Sequence, residues 1–172
     1  MKTPPSTYFY KTMPSPVGEL TLVAGDAGLA AVLWENDDPG RVRLGTLKED
    51  RQHPLLLEAE RQLGSYFAGR LDRFSLTLAP VGTDFQKKVW EALLTIPFGE
   101  TRSYAQIAQQ VGSPKAVRAV GAANGRNPIS IIAPCHRVIG SNGKLTGFAG
   151  GMEAKAFLLG LETKGTELKL EE

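Results

Sequence analysis

The residue in this chain best suited to covalent chemistry is its single cysteine, Cys135. It lies in the run Pro134-Cys135-His136-Arg137-Val138, so an imidazole and a guanidinium follow the thiol directly. Positive groups near a thiol stabilise the thiolate, which is the attacking form. A lone cysteine can also be a small buried hydrophobe, and that alternative stays open from the residues alone. We favour a nucleophilic cysteine, with His136 reached through a turn or a water.

The small number of cysteines and histidines limits the other chemistry available. One cysteine cannot form an internal disulfide, which fits a reducing compartment. A structural zinc site needs several Cys or His ligands, and Cys135, His53 and His136 cannot fill one. We therefore expect no bound metal and no cofactor. No signal peptide and no apolar run of about 18 residues is visible, so we predict a cytoplasmic protein without a membrane partner.

Charge is unevenly distributed along the 172 residues, although the net charge is only +2. Residues 1–82 carry nine basic and ten acidic side chains, whereas residues 101–152 carry six basic and no acidic ones. A segment rich in Arg and Lys and free of carboxylates suits a polyanion such as nucleic acid. Chance in a moderately charged chain is the alternative, and charge alone does not decide between them.

The elements that must position Cys135 begin with a small N-terminal α/β module, predicted to span residues 1–80. Alternating apolar residues predict a β-meander over 8–34, followed by a polar loop over 35–53. A helix is expected to start at Pro54 and stop at Gly69, and 74–78 alternates like one more strand.

A mainly helical C-terminal domain is predicted over 81–165, followed by a frayed tail over 166–172. The boundary is placed in the run Ala79-Pro80-Val81-Gly82. Thr83 with Gln86 three residues later forms a capping box that predicts the first helix of this domain.

Two short helices then follow one another around a glycine turn. Ser103 is expected to cap a helix through Val111, and Ser113 to cap a second helix with Pro114 at its first position, running to about Asn124. This arrangement matches a helix-turn-helix. Many helical hairpins of this kind do not touch DNA, so the pattern alone leaves both interpretations open.

The second of these helices is unusually slim. Between Lys115 and Asn124 most side chains are Ala or Gly, and the long ones are Lys115 and Arg118. Small residues serve close packing on a neighbouring helix, or they let the helix enter a narrow groove. A groove narrower than the major groove of DNA would favour such a helix, with Arg118 as the long side chain that reaches into the groove.

With these motifs in place, the chain resembles the O6-alkylguanine-DNA alkyltransferase family. The resemblance implies an α+β fold: a ribonuclease-H-like N-terminal module and a winged helix-turn-helix-like C-terminal domain. Besides the cysteine motif, it rests on Gly82–Gln86, Ile96–Thr101, Ser103-Tyr104, Arg118–Ala122, Asn127-Pro128, Gly150-Gly151 and Glu162.

The resemblance implies a catalytic role for four residues. Cys135 would accept the alkyl group, and His136 would act as its base through a bound water. Glu162 on the last helix would orient His136, in the logic of a triad with a water inserted. Asn127 would be the hinge that ties the active-site loop to the helix-turn-helix.

The resemblance also implies a set of DNA contacts in the minor groove. Arg118 would fill the space left by the flipped guanine, and Tyr104 would help rotate that base and supply a proton towards its N3. Further DNA contacts are predicted at Lys115, Ala119 and Arg126.

The base pocket is predicted to be lined by Tyr104, Val138, Phe148 and Ala149. Two residues depart from the family pattern. Ala133 stands where the family has a larger aliphatic residue, and Phe148 where it often has Tyr. Both departures bear on the size of alkyl group that fits and not on the reaction itself.

The implied function is repair of double-stranded DNA that carries O6-alkylguanine, with O4-alkylthymine as a further substrate. The damaged base must leave the stack, because its O6 substituent is inaccessible inside the duplex. The thioether product is stable, so each molecule, expected to be a monomer, would act once as a suicide methyltransferase.

Three other functions compete with this one. An alkyltransferase-like protein that only flags damage would lack the cysteine, which is present here. A cysteine hydrolase would need an oxyanion hole and turnover, and no acyl-transfer motif is visible. A transcription regulator would use the helix-turn-helix alone, but no dimerisation helix is evident.

Overall fold

A four-stranded sheet and one helix form the N-terminal part of the molecule. The computed structural model describes residues 7–140 and 148–171, with side chains described as far as residue 164. The elements are β1 (Tyr8–Met13), β2 (Leu20–Gly25), β3 (Gly28–Leu33), β4 (Leu47–Glu49) and α1 (Pro54–Phe67). The sheet order is β3-β2-β1-β4, antiparallel except for the parallel pair of β1 and β4. The predicted meander is confirmed.

Two predictions for this half are wrong. Strand β4 lies inside the segment predicted as a loop, because three exposed residues with two charges carry no alternating pattern. The predicted strand at 74–78 makes a single bridge between Leu78 and Leu29. The same edge of β3 also forms a bridge between Val32 and Ile129. The segments that contain Leu78 and Ile129 share this edge, so neither of them forms a continuous strand along β3.

The C-terminal part is mainly helical. Its elements are α2 (Asp84–Leu93), β5 (Arg102–Ser103), α3 (Tyr104–Gln110), α4 (Val117–Gly125), a 3₁₀ turn (Cys135–Arg137), β6 (Val138–Ile139) and α5 (Met152–Glu171). The capping box of Thr83 and Gln86 is present as predicted, and Ser103 caps α3 with Gln106 in the same way. The fold class expected from the sequence, a sheet module followed by a helical domain, is confirmed.

The second helix of the pair starts later than predicted. Ser113 does not cap it: the Ser113 carbonyl accepts from the Ala116 N–H at 2.8 Å, which closes a separate turn containing Pro114 and Lys115. Ala116 has a non-helical backbone, so the helix begins at Val117 with no side-chain cap. Lys115 is thereby displaced from the helix into the turn before it.

The last helix also differs from the prediction. The backbone of α5 stays helical to Glu171, whereas a frayed tail was expected from residue 166. Within the described residues, no helix is both long enough and apolar enough to cross a membrane.

Two hydrophobic cores meet near the cysteine. The first lies between the sheet and α1 and takes in the apolar residues of the 129–132 segment and of α5. The second lies among α2, α3 and α4 and includes Cys135 and Val138. The chain before Cys135 is therefore packed in one core while the cysteine itself is packed in the other.

Candidate active site

Cys135 begins the 3₁₀ turn and is 4% exposed. Burial raises the pKa of its thiol, while the Asn127 amide and the charges of Arg41 and Lys155 act in the opposite direction. The net direction is upward, which corrects the expectation that neighbouring cations keep the cysteine as a thiolate. The thiol is protonated at rest, so its reaction needs a base.

His136 is a neutral base with one nitrogen available. Its ring is fully buried, and burial lowers its pKa even though Glu162 opposes that shift. The Nε2 atom lies 2.7 Å from Oε2 of Glu162. A carboxylate accepts hydrogen bonds, so Nε2 carries the proton and Nδ1 keeps its lone pair. Nδ1 has no hydrogen-bond partner among the described residues.

Glu162 also receives hydrogen bonds from Arg137 and Tyr66. Arg137 donates through Nε to Oε1 at 2.8 Å and through Nη2 to Oε2 at 3.0 Å, and the Tyr66 hydroxyl donates to Oε2 at 2.5 Å. Burial alone would raise the pKa of this carboxyl, but the bonds from His136 and Arg137 lower it to about 2. Glu162 is therefore a buried carboxylate that is ionised at neutral pH.

Arg137 forms its ion pair with this carboxylate and not with the thiol. Its remaining donor, Nη1, binds the Ile96 carbonyl at 2.7 Å, and its guanidinium lies 5.8 Å from the centre of the Phe98 ring. Sequence reasoning placed Arg137 near the cysteine as a cation and did not identify Tyr66 at all. For Tyr66 the only local signal was its place on the buried face of α1, which marks a core residue.

Asn127 binds the backbone of the loop that leads to the cysteine. Its side-chain amide donates to the Ala133 carbonyl at 2.8 Å, and its Oδ1 accepts from the Ile129 N–H at 3.1 Å. The side chain is buried. A second amide that the sequence did not single out, Asn124, donates to the Cys135 carbonyl at 3.4 Å. Both contacts tie the end of α4 to the cysteine.

The loop between Asn127 and Cys135 is strained and held from the sheet side. Ile131 has a φ of 73°, an uncommon conformation for a β-branched residue that costs about 1–3 kcal/mol. Surrounding contacts maintain it: the Val32 N–H binds the Pro128 carbonyl at 2.9 Å, and Trp34 Nε1 binds Ser130 Oγ at 3.1 Å. The N-terminal sheet thus holds the cysteine loop in place.

Four of the five predicted DNA contacts are solvent-exposed: Lys115, Arg118, Ala119 and Arg126. On α4, Val120 and Ala123 are buried, whereas Ala119 and Ala122 are exposed on the outer face of the helix. Packing within the protein therefore does not explain the small side chain at Ala119. That face is free to approach a partner closely. Lys144, one of the six basic residues of this segment, lies outside the described residues.

Tyr104, the fifth predicted contact, is half-buried at the start of α3. Its ring lies against Gly121 of α4, where an added Cβ would come within 3.9 Å of it. Tyr104 and Phe148 both pack on the core cluster that contains Cys135 and Val138. The structure therefore places these two predicted pocket residues against the core cluster to which the cysteine belongs.

Val138 and Phe148 are fixed by further contacts, whereas Ala149 is exposed. Phe148 meets Trp34 edge-on, with 5.3 Å between ring centres. The buried Lys155 donates to the Val138 carbonyl at 2.7 Å and lies 5.8 Å from the Phe148 ring centre. Over residues 7–140 and 148–164, no three His, Cys, Asp or Glu side chains converge as a metal site would require.

Both halves of the chain match domains of one protein family. Residues 8–80 match the "6-O-methylguanine DNA methyltransferase, ribonuclease-like domain" and residues 84–164 match the "6-O-methylguanine DNA methyltransferase, DNA binding domain".

Similar proteins cover nearly the whole chain. A methylated-DNA–protein-cysteine methyltransferase of Methanosarcina acetivorans is 51% identical over 90% of this chain and 97% of its own. One of Mycolicibacterium paratuberculosis is 48% identical over 94% and 96%. The crystal structure of Mycobacterium tuberculosis OGT in complex with DNA superposes with a TM-score of 0.83 at 49% identity, covering 91% of this chain and 94% of that one.

Proposed function

The chain belongs to the 6-O-methylguanine DNA methyltransferase family, and from this premise we propose that Cys135 removes an alkyl group from O6 of guanine in double-stranded DNA. Relatives of about 50% identity carry the name methylated-DNA–protein-cysteine methyltransferase. Transfer to a protein cysteine requires an acceptor thiol, and this sequence has one. The observation that carries the proposal is the buried thiol followed directly by a neutral histidine whose Nδ1 has no hydrogen-bond partner among the described residues.

The reaction balances with the groups present. His136 takes the thiol proton at Nδ1, through a bridging water as the family resemblance implies. The sulfur of Cys135 then forms a bond to the alkyl carbon while the bond from that carbon to O6 breaks, and the electron pair stays on the guanine. The departing guanine takes up one proton, for which we assign Tyr104 as the source. The products are a thioether and an unmodified guanine, together with a protonated His136 and a deprotonated Tyr104 that return to their starting states by proton exchange with solvent.

Glu162 makes this proton transfer favourable. An imidazolium in a fully buried position is costly unless a negative charge faces it. The carboxylate is already ionised and lies 2.7 Å from the opposite nitrogen, so it stabilises the charge that forms when His136 is protonated. Asn127 holds the carbonyl of Ala133 and so fixes the backbone approach to Cys135.

Burial of Cys135 requires the substrate to come to it. A duplex does not expose the O6 substituent to a side chain, so the base must rotate out of the stack, into a pocket that we place beside Val138 and Phe148. The slim outer face of α4 would enter the minor groove, and Arg118 would occupy the vacated position. Lys115, Ala119 and Arg126 would contact the strands on either side.

Further features of the proposal follow the same chemistry. No group in the mechanism regenerates the thiol, so each molecule acts once, as a monomer in our proposal. O4-alkylthymine presents a similar alkyl carbon and is included as a substrate. A single reactive thiol needs a reducing location, which the cytoplasm provides.

The deciding experiment is the intact mass of the protein after incubation with a duplex containing O6-methylguanine. We expect a gain of one methyl group, mapped by peptide analysis to Cys135, and no gain with an undamaged duplex. Cys135→Ser should retain DNA binding and lose transfer. A methyl group on another residue, or transfer by that variant, would contradict the proposal.

A further inference from the structure

The N-terminal half of the chain contributes a side chain to the carboxylate behind His136. Tyr66 lies on α1, and Glu162 on α5, 96 positions away in sequence. Both side chains are about 1% exposed, and the hydroxyl donates to Oε2 of Glu162 at 2.5 Å. The same oxygen accepts from Nε2 of His136. The phenol and the imidazole therefore act on one atom.

The hydroxyl of Tyr66 acts as a donor and does not ionise. Burial raises its pKa, and the negative charge of Glu162 and the hydrogen bond to it raise it further. Three aromatic rings hold the phenol in place: Phe67 and Phe74, each with its ring centre 5.4 Å away, and Phe98, at 6.3 Å. This donor has a fixed position and a fixed protonation state.

We propose that Tyr66 is a positioning residue for alkyl transfer: its hydroxyl holds the Glu162 carboxylate so that His136 keeps its proton on Nε2 and presents Nδ1 to the thiol. This inference rests on the proposed function. Arg137 binds both oxygens of Glu162, Oε1 at 2.8 Å and Oε2 at 3.0 Å, and the shorter bond from the Tyr66 hydroxyl adds a second constraint on the oxygen that His136 uses. Through Tyr66, the N-terminal half would contribute to the orientation of the catalytic base.

The hydroxyl also tunes the base. A hydrogen bond to Oε2 draws electron density from that oxygen, so it limits how strongly Glu162 holds a proton on His136. Without the hydroxyl, the carboxylate would stabilise the imidazolium more, and the pKa of His136 would rise. A histidine that is already protonated cannot accept the thiol proton. Loss of the hydroxyl should therefore lower the transfer rate most strongly at the acid end of the pH profile.

The test is single-turnover methyl transfer by Tyr66→Phe at saturating duplex, measured from about pH 5 to pH 9. We expect a rate constant on the order of tenfold lower at neutral pH, part of the roughly 10²–10⁴-fold that a general base contributes. The acid limb should move to higher pH, and DNA affinity should not change. Nitrogen chemical shifts of His136 should show that the imidazolium persists to a higher pH than in wild type.

Two further variants of this protein serve as controls for the Tyr66→Phe result. Tyr10→Phe is the matched control, because the Tyr10 hydroxyl has no hydrogen bond among the described residues, and it should behave as wild type. Replacing Tyr66 by 3-fluorotyrosine keeps the hydroxyl and strengthens it as a donor, so the acid limb should move to lower pH.

The outcomes separate this inference from the proposed function. A wild-type protein that transfers no methyl group would contradict the function itself. Active wild type, with an unshifted pH profile and an unshifted His136 titration in Tyr66→Phe, would overturn the role of Tyr66 alone. That role is equally overturned if Tyr66→Phe only lowers thermal stability, or if the fluorinated protein shifts in the same direction as Tyr66→Phe.

Discussion

The guanidinium of Arg41 donates to the backbone carbonyl of Asn127 at 2.7 Å, although the two residues are 86 positions apart. The same nitrogen reaches the Gly125 carbonyl, at the end of α4, at 3.3 Å. The other side of Arg41 pairs with Asp37 at 2.6 Å, and both side chains are about 10% exposed. One arginine of the sheet domain therefore connects the end of the slim helix to Asn127, at the start of the loop that leads to the cysteine.

Arg41→Ala should destabilise the protein and slow transfer. It leaves the Asp37 carboxylate partly buried without its partner and removes the donor from the two carbonyls, at a cost of about 2–4 kcal/mol. Urea unfolding and single-turnover kinetics would measure both effects. Arg43→Ala is the matched control, because Arg43 is exposed and forms no ion pair with a described residue. Equal effects of the two substitutions would contradict the role of Arg41.

Thermal stability should fall towards acid pH in two steps. The pKa of His136 is lowered in the folded state, so folding excludes its protonated form and stability drops as the pH falls below about 6.5. The folded pKa of Glu162 is about 2 against an ordinary value of 4.5, so a contribution of about 3 kcal/mol is present above pH 4.5 and lost as the pH falls towards 2. Melting temperature against pH measures both steps.

Glu162→Gln should remove the lower step and reduce stability at neutral pH, because Arg137 then keeps a buried charge without its counter-ion. The control is Glu58→Gln. Glu58 also has a lowered pKa, owing to its hydrogen bond with Arg61, but that pair is solvent-exposed and screened. Its replacement should leave the acid profile unchanged. An unaltered profile in Glu162→Gln would show that this carboxylate is not the group responsible.

Arg118→Ala should slow methyl transfer from duplex DNA much more than from free O6-methylguanine base. Arg118 is exposed on the outer face of α4, and our proposal assigns it to base rotation and not to the transfer step. Rates on the two substrates give the comparison directly. Lys115→Ala should instead weaken duplex binding and reduce its salt dependence, as expected for a phosphate contact. Equal slowing of both substrates by Arg118→Ala would reject its assigned role.

Gly150→Ala should disturb the proposed base pocket. An added Cβ would lie 2.6 Å from the Trp34 ring, which is rigid and supports Phe148, so the loop must shift at a cost of about 1–3 kcal/mol. Transfer should slow accordingly. Gly160→Ala in α5, where an added Cβ would have no atom of the described residues within 4 Å, should stabilise the protein by about 0.5–1 kcal/mol and leave transfer unchanged. Unfolding curves and transfer rates of both variants test the contrast; similar behaviour would contradict it.

The chain itself determined the local structure and the identity of the reactive group. Capping residues such as Thr83 and Ser103 act within one helical turn, and apolar periodicity acts within one element, so both can be recognised without a fold. The strand at Leu47–Glu49 was missed because its pairing partner β1 lies elsewhere in the chain. The start of α4 was misplaced because the turn around Pro114 closes before the helix begins.

Tertiary structure decided how the cysteine is prepared for reaction. The same Cys135 that neighbouring cations would ionise is held protonated by burial, and Arg137 faces a carboxylate 25 positions away. The tautomer of His136 depends on Glu162, and Glu162 is bound by Tyr66 from the other half of the chain. Desolvation and contacts between distant segments exist only after the two cores have packed together. For that reason the sequence contains the nucleophile, and the folded arrangement sets its protonation and its base.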